Sequence, residues 1–132
     1  MLLVQSDPRL SETWAEALAR GGHEVLAVEA IADGIARARE GGLDVVVLDS
    51  DGDAAVVRAL VAELDRLPDT PPFVLVSASP EAPELSAQIG AAGFLPKPCS
   101  PEDLAEVVAR VASAAVRHPA FDEETTSPRK KY

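Results

Sequence analysis

The chain has 132 residues, 47% of them hydrophobic and only 4% aromatic, which suits one domain with an aliphatic, alanine-rich interior. A net charge of −10 argues against sequence-independent binding to nucleic acid or to anionic lipid, since both need basic patches. No stretch reaches the ~18 uninterrupted apolar residues of a membrane span, and the single cysteine, Cys99, excludes an internal disulfide and fits a reducing compartment.

Met1 leads directly into Leu2-Leu3-Val4 with no basic leader, so a cytoplasmic protein that begins with a short apolar strand is expected. Ser6 or Asp7 can cap a helix with Pro8 in its first turn, and Leu10, Trp14, Ala17 and Leu18 recur at helical spacing before Gly21-Gly22 ends it. Glu24 to Val28 reads as a second strand. Ile31 to Glu40 reads as a weak helix, interrupted by Gly34 and ended by Gly41-Gly42. Asp44 to Asp49 follows as a strand whose four consecutive apolar residues indicate cover on both faces. After a tight turn at Ser50-Asp51-Gly52-Asp53, the residues Val56, Val57, Leu60, Val61 and Leu64 stripe a third helix. Phe73 to Ser77 is another buried strand, 85 to 91 a short helix, and Phe94-Leu95 a very short strand. Ser100-Pro101-Glu102-Asp103 opens a last helix, 101 to 116, with one apolar face made by Leu104, Val107, Val108 and Val111.

Strands and helices alternate five times with short connections, the pattern of a doubly wound α/β domain with a parallel sheet. The domain is expected to span 1–117. Residues 118–132 have no apolar period and are expected to form a flexible tail. Trp14 reads as core, Cys99 as a small packed residue, His23 as a solvated side chain beside a turn, and His118 as a residue after the last helix that favours its negative C-terminal end.

Open α/β sheets place chemistry at the carboxyl ends of their strands. Three such ends carry reactive groups here: Asp49, Ser77 and Lys97. Of three lysines, two fall in the tail, so Lys97 is the only one in the expected domain, where every other cation is an arginine. A compact ammonium differs from a planar guanidinium, which marks Lys97 for a particular task.

Gly90-Ala91-Ala92-Gly93-Phe94-Leu95-Pro96-Lys97-Pro98, the Asp44 to Asp49 strand and Val76-Ser77-Ala78 together resemble the response-regulator receiver domain of two-component signalling. The resemblance covers roughly residues 2 to 117. It implies a (βα)5 flavodoxin-like three-layer sandwich with a five-stranded parallel sheet in the order 2-1-3-4-5. It also implies that Asp49 accepts a phosphoryl group as nucleophile, that Ser77 and Lys97 hold its oxygens, and that Phe94 is the switch aromatic. The Lys97-Pro98 bond is expected to be cis. Partners implied are a histidine kinase, a phosphotransfer protein or an effector, engaged through the 85–116 face, which could also form a homodimer. No enzymatic turnover, nucleic acid or membrane is expected. No output domain is read in the chain, so the effect would pass through another protein.

Two departures qualify the resemblance. Receivers end their first strand with an acidic pair that holds Mg²⁺, whereas this chain has Gln5-Ser6 there, with Asp7 one place further on. The turn after Asp49 is also short, and Asp51 falls where a metal-ligating backbone carbonyl is expected. An Mg²⁺ site built from Asp49, Asp51, Asp53 or Asp7 would be weak or absent, and a phosphorylation-independent pseudo-receiver is the alternative. Asp49-Ser50-Asp51-Gly52 is also similar to the nucleophile motif of haloacid-dehalogenase-like phosphatases, but on the third strand instead of the first. Asp49-x-Asp51-x-Asp53 only partly matches a calcium loop.

Overall fold

In the computed structural model the described residues are 1–50 and 54–121, the side chains of 115–121 excepted. Strands β1 (Leu2–Val4), β2 (Leu26–Val28), β3 (Val46–Asp49), β4 (Phe73–Ser77) and β5 (Gly93–Pro96) alternate with helices α1 (Pro8–Arg20), α2 (Ile31–Arg39), α3 (Ala54–Asp65), α4 (Ala82–Ile89) and α5 (Pro101–Phe121). The strands form one sheet in the order β2-β1-β3-β4-β5. Every pairing is parallel. The expected fold class and strand order are both met.

Several boundaries differ from the sequence reading. β2 begins at Leu26 and β3 at Val46, because pairing partners, not apolar content, decide where a ladder starts. α4 begins at Ala82, three residues before the first strongly apolar position. α5 continues to Phe121 and so passes the expected domain end at 117. The remainder of the expected tail, 122–132, lies outside the described residues, as do Asp51, Gly52 and Asp53.

Local chemistry explains the helix ends. Asp7 caps α1, its Oδ1 accepting from the backbone N–H of Arg9 at 2.9 Å, with Pro8 at the first position. At α5, Ser100 Oγ accepts from the N–H of Asp103 at 3.0 Å while the Asp103 carboxylate receives the N–H of Ser100, a reciprocal cap.

The period of two along each strand sorts side chains to two cores. Leu3, Val47, Val74 and Val76 pack with Trp14 and Leu18 of α1 and with Leu104, Val108 and Val111 of α5. Leu2, Val4, Val46, Leu48 and Leu75 pack with Ala38 of α2, Val57, Leu60 and Leu64 of α3, and Ala82 of α4. By the same parity Gln5, after β1, and Asp49, ending β3, belong to the α1/α5 side. Ser77, ending β4, belongs to the other. Leu10 departs from the expected apolar stripe of α1 and stays exposed.

Gly34 sits where α2 crosses β1. A Cβ there would lie 2.9 Å from Val4 Cγ2, the methyl of a stiff, buried, β-branched side chain. Alanine would gain about 1 kcal/mol of helix propensity, while overpacking a closed core costs about 1–3 kcal/mol. Gly34→Ala is therefore expected to destabilise by about 1 kcal/mol net, read from the urea midpoint at constant m-value.

Asp44, just before β3, pairs with the Met1 ammonium at 3.1 Å, and that ammonium also donates to Glu24 O at 2.9 Å. Partial burial disfavours the Asp44 charge. The hydrogen bond and attraction from the ammonium outweigh this and hold the carboxyl below its ordinary 3.8. A lowered folded value gives stability that is fully present above the unfolded pKa and is lost as pH falls through the folded one. The Asp44 side chain is well exposed, so Asp44→Asn should cost under about 1 kcal/mol at pH 7. That difference should vanish on acidification below the carboxylate range, in paired urea titrations.

Candidate functional site

The carboxyl ends of β1, β3, β4 and β5 meet at one edge of the sheet. Register makes this unavoidable. Val4 pairs with Leu48, so Gln5 stands beside Asp49 on the next strand. Asp49 itself pairs with Val76, and the N–H of Ser50 donates to Val76 O at 3.0 Å. Lys97 follows β5 directly, its N–H donating to Ser77 O at 3.1 Å. The next peptide bond, Lys97–Pro98, is cis, as expected.

Asp49 lies at the centre of this edge. Its side chain is only 5% exposed, and its Oδ1 is 2.6 Å from Lys97 Nζ. Its Oδ2 accepts from Gln5 Nε2. Gln5 is itself buried, and its Oε1 accepts from the backbone N–H of Asp7 at 2.9 Å. A cleft of about 450 Å³ opens over the group, walled by Gln5, Ser6, Asp7, Leu10, Glu29 and Lys97.

Of the residues expected to act together, Asp49 and Lys97 are in direct contact. Ser77 lies one step along the edge and one face away. It is buried, its Oγ accepts from the N–H of Ser79 at 3.0 Å, and it lines a smaller cleft of about 170 Å³ between α3 and α4. Ser50 borders both clefts. Phe94 is partly buried against the α2/α3/α4 core, on the same sheet face as Ser77. Arg58 also lines the Ser77 cleft and donates to Gln88 Oε1 across it. Nothing in the sequence reading pointed to Arg58.

Gln5 as a hydrogen-bond donor to Asp49 was legible only in part. Its absent negative charge is plain in the sequence, and strand parity puts Leu3 and Gln5 on the side of Val47 and Asp49. The direction of its amide depends on Asp7, whose N–H takes the oxygen end.

Among the described residues the donor set does not fit Mg²⁺. Hard divalent cations require oxygen ligands, carboxylates above all. Here the group next to Asp49 on β1 presents N–H, Ser6 is exposed, and the Asp7 carboxylate caps α1. Among the described residues no three His, Cys, Asp or Glu side chains cluster as metal ligands. Asp51 and Asp53, on which the metal expectation, the phosphatase motif and the calcium-loop motif partly rest, lie outside the described residues.

Cys99 is partly buried against the α1/α5 core. Burial, then the Asp103 and Asp49 carboxylates, push its thiol pKa up against the opposing pull of Lys97. It is a packed thiol, not an activated thiolate. No helix among the described residues is long and apolar enough to cross a membrane.

Comparison with known proteins agrees with the fold. The family model of the response regulator receiver domain matches residues 1–109. The non-phosphorylated receiver domain of HemR from Leptospira biflexa superposes with a TM-score of 0.72 at 28% identity, covering 85% of this chain and 92% of that one. The chemotaxis protein CheY4 of Vibrio cholerae gives 0.69 at 25% identity, over 83% of this chain and 95% of that one. A CheY-like receiver domain protein from Methanospirillum hungatei gives 0.75 at 19% identity, over 89% and 95%, and supports the fold alone. No curated protein matches the sequence. With a family match over most of its length and the family's strand order in its sheet, the chain belongs to the response-regulator receiver domains of two-component signalling.

Proposed function

We propose that this chain is an atypical, cytoplasmic receiver that works mainly by presenting a surface to a protein partner, with Asp49 a poor phosphoacceptor. The observation that carries the reading is the state of Asp49: one oxygen is held by Lys97 and the other by the Gln5 amide. An incoming phosphoryl dianion meets a carboxylate of like charge, and Lys97 is the cation in contact with it. Receivers usually add a divalent cation at this point, and the described donor set does not suit one.

Asp49, Ser77 and Lys97 are proposed as the phosphoryl site and Phe94 as the aromatic that reports its state. The position of Phe94 against the α4 side of the core, on the face that carries Ser77, supports that coupling. The partner surface is proposed to be the face made by α4, β5 and α5. Members of the family engage kinases, phosphotransfer proteins or effectors, and a partner of this kind suits an acidic protein of net charge −10 better than nucleic acid does. The reading is of a switch or scaffold and includes no substrate turnover.

The test is to incubate the protein with acetyl phosphate and Mg²⁺ and to record its intact mass. A phosphoryl adduct on a small minority of molecules, absent from Asp49→Ala, is expected. Near-complete labelling that requires Mg²⁺ would return the chain to the ordinary phosphoacceptors and defeat this reading.

A further inference from the structure

We infer that Gln5 is the specificity-determining residue that keeps divalent cations out of the Asp49 pocket. Its amide holds, with a neutral donor, the carboxylate oxygen that a cation would otherwise take. The inference rests on the proposed reading of Asp49 as the receiving carboxylate and adds the residue that sets its metal requirement.

Three observations carry it. First, Gln5 is placed rigidly. β1 and β3 pair in parallel up to Val4 and Leu48, and the Gln5 N–H donates to Val28 O at 3.0 Å, so its backbone is fixed from both neighbouring strands. Second, Gln5 is 2% exposed and both ends of its side-chain amide are used. Nε2 donates to Asp49 Oδ2, and Oε1 accepts from the Asp7 N–H. Third, those partners allow only one orientation. A flipped amide would set its oxygen against a carboxylate and its N–H₂ against another N–H. The pocket therefore presents the positive end of a dipole where a cation needs a negative one. To take that oxygen, a cation must displace the Gln5 N–H₂ and leave the amide nitrogen of a buried residue without its partner, which is costly. The ammonium of Lys97 already neutralises Asp49 from the other side. Asp7 and Glu29 also line the pocket, but among the described residues no three carboxylates cluster there as metal ligands.

Gln5→Glu keeps the shape and replaces the N–H₂ by an oxygen. One carboxylate oxygen can still accept from the Asp7 N–H, while the other faces Asp49 and repels it. A divalent cation between the two relieves that repulsion. Manganese binding is measured by titration calorimetry and by the electron paramagnetic resonance signal of free Mn²⁺, with thermal midpoints in EDTA and in Mn²⁺ as a second readout. Gln5→Glu is expected to bind Mn²⁺ at least about tenfold more tightly than the unmodified protein, because ligand charge sets the affinity of such sites. Its midpoint should fall in EDTA and recover in Mn²⁺, while that of the unmodified protein stays unchanged. Asp49→Ala in the Gln5→Glu background should remove the gain. If Gln5→Glu folds only with metal, that is the expected effect in its extreme form, and Gln5→Asp, with a shorter carboxylate, supplies the affinity measurement. Equal Mn²⁺ affinity in the unmodified protein and both acidic variants would overturn the inference. The acetyl phosphate experiment separates this from the reading beneath it. Complete labelling of the unmodified protein in EDTA would defeat the poor-phosphoacceptor reading and leave the role of Gln5 standing.

Discussion

Lys97→Met is expected to lower the unfolding free energy by about 2–3 kcal/mol. Removing one member of a buried ion pair costs about 3–5 kcal/mol, because the other charge is left uncompensated in a poorly solvated place. Two facts moderate that figure here. The Lys97 side chain is 20% exposed against 5% for Asp49, and the Gln5 amide still holds one oxygen of the carboxylate. The penalty belongs to the stranded carboxylate, so it should disappear when that charge is removed as well. Asn at 49 can still accept from Gln5, and Lys97→Met combined with Asp49→Asn should come within about 1 kcal/mol of the unmodified protein. Urea denaturation of the four proteins, with m-values compared, gives the coupling directly. Additive losses would mean that the 2.6 Å contact contributes nothing to stability and that Lys97 is retained for its chemistry alone.

A comparable loss is expected from Leu60→Ala in α3, about 3 kcal/mol, since the side chain is fully buried and its removal leaves a cavity between the helix and β3. Its neighbours on the same helix provide the contrast. Val57 is 1% exposed and should cost about 1–3 kcal/mol on truncation. Val56 is 37% exposed, and Val56→Ala should stay within about 0.5 kcal/mol. A loss at Val56 equal to that at Val57 would show that a partner covers this face of α3 in the protein under test.

Val56 and Val57 illustrate how far periodicity reaches. Both belong to the apolar stripe of α3, and hydropathy cannot rank them. The orientation of the helix against the sheet does. Leu10 in α1 is a similar case, in step with Trp14 yet left exposed beside the Asp49 cleft. Gly34, by contrast, reads in the sequence only as a weak point in a helix. The fold turns it into a close approach, because a methyl of Val4 occupies the space that a side chain would need.

The sequence by itself determined the alternation of five strands and five helices, the parallel sheet and the gathering of Asp49, Ser77 and Lys97 at one edge. Uninterrupted apolar runs, glycine and proline breaks and the period of two are local properties, and right-sized βα units leave few ways to assemble. Tertiary structure alone decided which of those residues touch. It set Lys97 and Gln5 on the two oxygens of Asp49, put Ser77 with Phe94 on the opposite sheet face, and turned the Gln5 amide nitrogen toward the carboxylate. These outcomes depend on neighbours that arrive from distant parts of the chain, and a hydrogen-bond direction exists only once its partners are in place.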